Sequence, residues 1–389
     1  MSERILIVHN AYQQRGGEDV VVEAEAELLR QHGHQVELFL RHNSAIGNIG
    51  RAALIAQTLW SAPTVKAFDA VVRAFKPDLV HVHNTFPLIS PSLYWAAAEA
   101  RVPVVQTLHN FRLLCPQAMF LRNGRICEDC LGHPPWRSVI HRCYRNSVTQ
   151  SAVLATTLAM HRGLNTWHRK VTRYIALNEF CRNKFIEGGL PAERIVVKPN
   201  FVDAGDSVRG DRSGFLFVGR LSVEKGVDVL ARAASRLTDV HIRVVGAGSE
   251  HATLRDVPGV ELLGTLPGAQ VREQMQQATA LVFPSICYET FGLVAVEAFA
   301  SGTPVIASRI GTLPNLVEED VTGLLFSPGD AADLANKMRW AQLNPEQMAA
   351  MGSTARACYE TKYAAARNYH ELMAIYRDAI EEVKGKQQC

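Results

Sequence analysis

The chain has 389 residues, 47% of them apolar, 20% charged and 7% aromatic, a globular profile that excludes disordered, collagenous and coiled-coil classes. That length suits two domains of comparable size. No stretch reaches the roughly 18 uninterrupted apolar residues of a membrane span; Ser151 to Met160 comes nearest, and it is short and threonine-rich. The first residues, MSERILIVHN, carry an acid among their leading charges and no small-residue cleavage site, so they read as a strand and not as a signal peptide, and a cytoplasmic protein is expected. Charge is uneven along the chain. Residues 1–200 hold 23 Lys/Arg against 15 Asp/Glu, and the remainder 18 against 23, within an overall charge of +3. A basic first half implies an anionic partner: a phosphate-bearing acceptor, a lipid surface or nucleic acid. The chain lacks an aromatic-basic single-strand pattern and a helix-turn-helix signal, so nucleic acid is not expected.

In chain order, Ile5-Leu6-Ile7-Val8 is a buried-type strand, followed by a loop with Gly16-Gly17 and an amphipathic helix from about Glu18 that Gly33 closes. Val36 to Leu40, Asp78 to His83 and Val102 to Thr107 continue as strands. Short β-branched runs alternating with helical stretches predict a parallel sheet wrapped in helices. Pro199 to Ser213 is polar and turn-rich and reads as a linker. The second half restarts the pattern, with strands at Gly214 to Gly219, His241 to Val245, Leu281 to Phe283 and Pro304 to Ala307. A last helix sets Tyr369, Leu372, Met373, Tyr376, Ile380 and Val383 on one stripe, so it packs on something. The expected organisation is an acceptor-side domain at 1–200 with a Cys-rich insertion at 115–143, a donor domain at 201–365, and a helix at 366–389 returning towards the first domain. Two doubly wound α/β domains place a ligand cleft between them, with chemistry on loops at the carboxyl ends of strands.

The segment from Pro284 to Glu297 (PSICYETFGLVAVE) leaves a strand and enters a helix. Gly292 allows close backbone approach, and the amides from Phe291 to Val294 lie at a helix start, where an anion is favoured. Glu289 and Glu297 stand too far apart for an acid/base dyad. They can instead accept hydrogen bonds from hydroxyls on either side of a diphosphate, one on a sugar and one on a ribose. Arg220 and Lys225, in the loop Gly219 to Gly226, add a guanidinium fork and a point charge suited to a diphosphate. No Asp-x-Asp occurs, in keeping with charge neutralisation without a metal. Alone, Glu297 would be an ordinary solvated-face residue and Arg220 and Lys225 ordinary surface cations; the combination in this context carries the reading.

Gly-Arg-Leu-x-x-x-Lys-Gly, then Pro-Ser-x-x-Tyr-Glu-Thr-Phe-Gly-x-x-x-x-Glu-Ala, then Ser-Gly-Thr-Pro-Val-Ile-Ala, resemble the GT-B glycosyltransferases of family 4 across nearly the whole chain and most specifically at 214–330. The resemblance implies two Rossmann-like domains, an α/β fold, and retaining transfer of a sugar from a nucleoside diphosphate sugar. It implies that Arg220 and Lys225 bind the donor diphosphate, that Glu289 holds the transferred sugar and Glu297 the ribose, that the amides of Phe291, Gly292 and Leu293 face the phosphates, and that Gly264 and Leu266 line the base pocket. It places Gly16 and Gly17 at the donor and His109, after another strand, near the sugar and its leaving phosphate. His83 and Asn84, at the end of the preceding strand, are acceptor-pocket candidates. One departure is Gly311-Thr312-Leu313-Pro314-Asn315, where the family usually has a glycine pair and a glutamate; donor-sugar preference is expected to differ.

Cys115, Cys127, Cys130 and Cys143 cluster in a loop-like interval and supply the ligand count of a closed tetrahedral zinc site, with free thiols and a redox or iron–sulfur role as the alternatives. Trp136-Arg137 with the basic run after it, and Trp167-His168-Arg169-Lys170, suit an anionic bilayer surface, the alternative being a solvated basic face. The expected protein is a glycosyltransferase needing no catalytic cofactor. It acts on a glycan or lipid-linked acceptor in bacterial surface polysaccharide synthesis, in the cytoplasm or peripherally on the inner membrane face. A nucleotide-sugar epimerase and a non-catalytic partner subunit are the alternatives.

Overall fold

The computed structural model describes residues 2–203 and 212–388. Residues 204–211 of the expected linker lie outside the described residues. The chain divides into two compact units. The first takes the segment up to Ala118, Glu128–Pro199 and the residues from Asn368 onward; the second takes Met119–Cys127 and Asn200–Arg367.

The first unit is built on six parallel strands in the order Gln35–His42, Arg4–Ala11, Leu79–Asn84, Val104–Thr107, Arg173–Ala176 and Ile195–Val197. Helices cover both faces, which is why Ile5, Leu6, Ile7 and Val8 are all fully buried and the strand reads as an unbroken apolar run. Helix Gly17–Gln31 turns Val21, Val22, Ala26, Leu28 and Leu29 inward, and Gly33 follows it at φ 83°. The stripe on the last helix packs into this unit: Leu372, Met373, Tyr376 and Ala379 join Ile5, Ile7, Val22 and Leu29 in one cluster. Each Leu, Ile, Val or Met side chain among them contributes about 1.5–3 kcal/mol by leaving water.

The second unit repeats the plan with six parallel strands in the order Val260–Gly264, Ile242–Val245, Phe215–Val218, Ala280–Phe283, Val305–Ser308 and Gly323–Phe326. Phe215, Leu230, Ile242, Val244, Ile306 and Met338 are fully buried at its centre. Strand order reverses between Phe215–Val218 and Ala280–Phe283, which are neighbours in the sheet although two strands lie between them in sequence. Ligands of open parallel sheets bind beyond the carboxyl ends of the strands at such a reversal. Within the expected loop-like interval the chain forms a small hairpin, Leu121–Arg122 against Arg125–Ile126. Asn123 (φ 52°) and Gly124 (φ 72°) make its turn, as an Asn-Gly pair does when both central residues need positive φ. The hairpin belongs to the second unit, where the Phe120 ring meets the Tyr288 ring at 6.0 Å. Among the described residues, no helix is long and apolar enough to cross a membrane.

Candidate active site

In the second unit, the loop after Phe215–Val218 carries Arg220 and Lys225, and the loop after the adjacent strand Ala280–Phe283 carries Glu289. The Ile286 N–H donates to Glu224 O at 3.0 Å and ties the two loops together. Gly226 makes the approach feasible. It sits at φ 71°, and a Cβ there would come 1.9 Å from Pro284 O. The second loop ends at Gly292 (φ 86°), which caps helix Leu293–Ala300.

Lys225 Nζ donates to Glu289 Oε1 at 2.7 Å, and Ser285 Oγ donates to the same oxygen at 2.6 Å. Burial by itself would raise the Glu289 carboxyl; Lys225, Ser285 and Arg220 outweigh it and hold it below the usual carboxylate range. Burial would likewise lower Lys225, and Glu289 overcomes this and raises it. The pair is therefore ionised, with the charges held against each other. Arg220 differs: it pairs with Glu224 at 3.2 Å while its side chain is 68% exposed, so its guanidinium is open to an incoming anion. Phe291 is buried, and the helix after Gly292 starts with Leu293, so the three amides expected to face phosphate do stand at a helix start. Glu297 is half-buried one turn into that helix. Burial raises its carboxyl to about 7, with Arg272 opposing in part. Gly264 closes its strand at φ 67° and Leu266 follows, half-buried.

The first unit gathers a second polar cluster at the carboxyl ends of its central strands. His83 Nδ1 and His109 Nε2 are 2.8 Å apart, both rings buried. Burial depresses both imidazoles well below their ordinary value, as do the neighbouring histidines, so both are neutral. Asn84 donates to Asn10 O at 2.9 Å and accepts from the Phe86 N–H at 2.9 Å, so it pins its own loop. His83, Asn84, His109, Asn110 and Arg112 help line a cavity of about 60 Å³. Gly16 has an extended conformation (φ −120°) with room for a Cβ, so the packing of the chain does not itself demand glycine. The Gly16 N–H donates to Asp19 Oδ2 at 2.7 Å, and Gly17 opens a helix whose first turn holds Glu18 and Asp19. Gly16 and Gly17 thus stand at the start of this helix, with the carboxylates of its first turn beside them.

Several polar residues here carry no local sequence signal. His9 Nε2 lies 2.8 Å from Asp19 Oδ1. Asn110 donates to Glu18 Oε1 at 2.6 Å and the Tyr12 hydroxyl to Glu18 Oε2 at 2.9 Å. Burial raises the Glu18 carboxyl, and the hydrogen bonds from Asn110 and Tyr12, with His9 and Arg112 nearby, oppose the rise in part. Beneath it, Lys198 Nζ donates to Glu25 Oε1 and Asn368 Oδ1, each at 2.9 Å, and neither charged side chain is exposed.

Glu25, His81 and His83 bring potential metal-ligand atoms within 4.8 Å of one another. The donor set does not suit a cation. The Lys198 ammonium already neutralises the carboxylate through Oε1, and His81 is bonded at both ring nitrogens, to the Tyr376 hydroxyl at 2.7 Å and to Thr107 Oγ1 at 2.8 Å. Of the four clustered cysteines, Cys115 and Cys130 are buried and Cys127 and Cys143 half-buried.

Both units with their strand reversals match solved two-domain GT-B structures. The Anabaena protein HepE, solved in complex with UDP, superposes with a TM-score of 0.69 at 21% identity, covering 95% of this chain and 98% of that one. Sucrose-phosphate synthase from Thermosynechococcus elongatus gives 0.73 at 18% identity, covering 98% and 100%. The fold is therefore that of the GT-B glycosyltransferases.

Family models agree. Residues 15–206 match "Glycosyltransferase Family 4" and residues 212–343 match "Glycosyl transferases group 1". The chain belongs to glycosyltransferase family 4 and is an enzyme of that class. A D-inositol 3-phosphate glycosyltransferase of Mycolicibacterium paratuberculosis is 28% identical over 94% of this chain and 86% of its own length. The sulfoquinovosyl transferase of Arabidopsis thaliana is 26% identical over 73% of this chain, which spans 54% of that relative's length.

Proposed function

We propose that the protein transfers a sugar from a nucleoside diphosphate sugar, with UDP as the nucleotide, to a glycan or lipid-linked acceptor, with retention at the anomeric carbon. The observation that carries this reading is the meeting of Arg220, Lys225, Glu289 and the start of helix Leu293–Ala300 beyond two strands at the reversal of the second sheet. Arg220 and the amides of Phe291, Gly292 and Leu293 receive the diphosphate. Lys225 turns from Glu289 towards the phosphate as the donor enters, which frees Glu289 to accept from sugar hydroxyls. Glu297 takes the ribose hydroxyls, and Gly264 and Leu266 border the base. As the glycosidic bond breaks, negative charge collects on the leaving diphosphate, and fixed cations and amides stabilise it without reorganising. The acceptor hydroxyl attacks on the face the diphosphate leaves, giving it the proton. The two cations and the helix start supply the neutralising charge with no divalent ion.

One relative is named for an inositol phosphate and the other for the sulfoquinovosyl group that it transfers, so the two names speak to different sides of the reaction and neither fixes the donor sugar or acceptor of this chain. In this chain His109, with His83 beside it, is the candidate contact of the first unit with substrate. The surrounding process is the assembly of a bacterial surface polysaccharide. Cys115, Cys127, Cys130 and Cys143 hold one structural zinc. Elemental analysis of purified protein checks this: one equivalent is expected, and none would remove the zinc.

Thermal-shift screening against a panel of nucleoside diphosphate sugars, with and without a chelator, tests the donor reading. A UDP-sugar that stabilises the chain equally in both conditions supports it; a shift by no member of the panel refutes it.

A further inference from the structure

Helix Arg51–Leu59 is unusual for a helix at the surface. Only Thr58 of its nine residues is buried, yet six of the nine are apolar. Ala52, Ala53, Ile55 and Ala56 are exposed. It packs against helix Val148–Gly163, whose exposed positions include Val148, Thr156 and Ala159 and no charged residue. An outward helix face ordinarily carries charge; these two packed helices have one arginine each and no acid. The short helix Arg137–Ile140 packs on the second of them and extends the surface with Trp136 (54% exposed) and Ile140 (65%). Trp60, 41% exposed, stacks on His161 at 5.8 Å. Exposed apolar surface gathered this way marks an interaction site.

Charge identifies the occupant. There is no Asp or Glu from residue 38 to 68 or from 131 to 178, the two stretches that supply these helices. Arg51, Arg142, Arg145 and Arg169 are exposed within them, and Arg137 is half exposed, 4.0 Å from Asp129. Trp167 is an exception to the sequence reading: it is buried, with 3% exposure, and takes no part.

We infer that the face formed by helices Arg51–Leu59, Arg137–Ile140 and Val148–Gly163 seats the protein on an anionic lipid bilayer, its apolar side chains entering the headgroup boundary and its arginines meeting lipid phosphates. This combination of exposed tryptophan and aliphatic groups with flanking cations is what an interfacial surface requires. The inference deepens the acceptor side of the proposed function by naming the surface on which a lipid-linked acceptor is met, and its test does not depend on transfer.

Full-length protein is sedimented with vesicles of phosphatidylcholine alone and with vesicles that also carry phosphatidylglycerol. Binding is expected only to the second, falling as salt is raised. Each basic side chain near such a surface is worth about fivefold in partition, so Arg142→Glu with Arg145→Glu should lower binding by well over tenfold. Ile55→Glu with Ile140→Glu should abolish it. Leu343→Glu, at a 75% exposed position in the second unit, should leave it intact. Unfolding midpoints and UDP-sugar binding of every variant confirm the fold. Equal binding to both vesicle types, no binding to either, or full binding by the Ile55/Ile140 variant overturns the inference. So does concentration-dependent self-association of the wild type that Ile55→Glu removes, since the face would then belong to a second copy. Loss of UDP-sugar binding by the wild type would count against the donor reading alone.

Discussion

Glu297 offers the sharpest test of the donor site. Burial raises its carboxyl from 4.5 to about 7, so in the folded chain it keeps a proton that the unfolded chain has lost. The contribution of this group to folding stability is therefore full below about pH 4.5 and is lost as pH rises to about 7, by at most about 3 kcal/mol. Water reaching the half-buried group reduces that figure. A ribose diol donates hydrogen bonds and so prefers the ionised carboxylate. Binding should then draw the proton off, and affinity should climb about tenfold between roughly pH 6 and roughly pH 8, following the ionised fraction. UDP-glucose is the ligand to use, because its diphosphate diester does not itself titrate there. Calorimetry in two buffers of different ionisation enthalpy counts the released proton directly. Glu297→Gln should remove the pH dependence, weaken binding at high pH by about tenfold or more, and raise stability above pH 7. A wild-type affinity flat across this range, with an unchanged affinity in the variant, would refute the assignment.

Glu289→Ala should abolish transfer while costing only about 1–3 kcal/mol of stability through the stranded Lys225; unaltered turnover sinks the role given to this carboxylate. Lys198→Met leaves Glu25 buried without its cation and should cost about 3–5 kcal/mol in urea unfolding, most of it regained when Glu25→Gln is added. Gly226→Ala forces a Cβ to within 1.9 Å of Pro284 O at a positive φ, so it should lower both donor affinity and melting temperature, whereas a silent substitution would show that the two loops are not locked together.

The donor half was readable because its chemistry is local. Lys225, Glu289 and Glu297 lie on loops that follow unmistakable strands, and their spacing survives in the sequence. Four strands were not picked out: Arg173–Ala176, Ile195–Val197, Val260–Gly264 and Gly323–Phe326 are short, and the third is half-buried at a sheet edge with no clear alternation. The hairpin at Asn123-Gly124 has its turn signal, but two-residue strands give no periodicity to frame it. The polar cluster of the first unit was legible only at His83, Asn84 and His109. Glu25 sits on a helix as an ordinary acid would, and its partner Lys198 arrives 173 residues later. Such a pairing has no period and no spacing; tertiary structure alone creates it. Tryptophan beside basic residues was equally ambiguous, since Trp136 is exposed and Trp167 buried.

The placement of the final helix bears on how the molecule is made. Tyr376 bonds to His81 and Asn368 to Lys198, so the first unit recruits its last structural pieces from the end of the chain. A ribosome delivers residues 1–367 before those groups emerge. Until then the apolar stripe of Ile5, Ile7 and Leu29 stays uncovered, and Lys198 lacks one of its acceptors. Splitting the gene at the boundary between the units would therefore give an amino-terminal fragment that waits for a peptide it no longer carries.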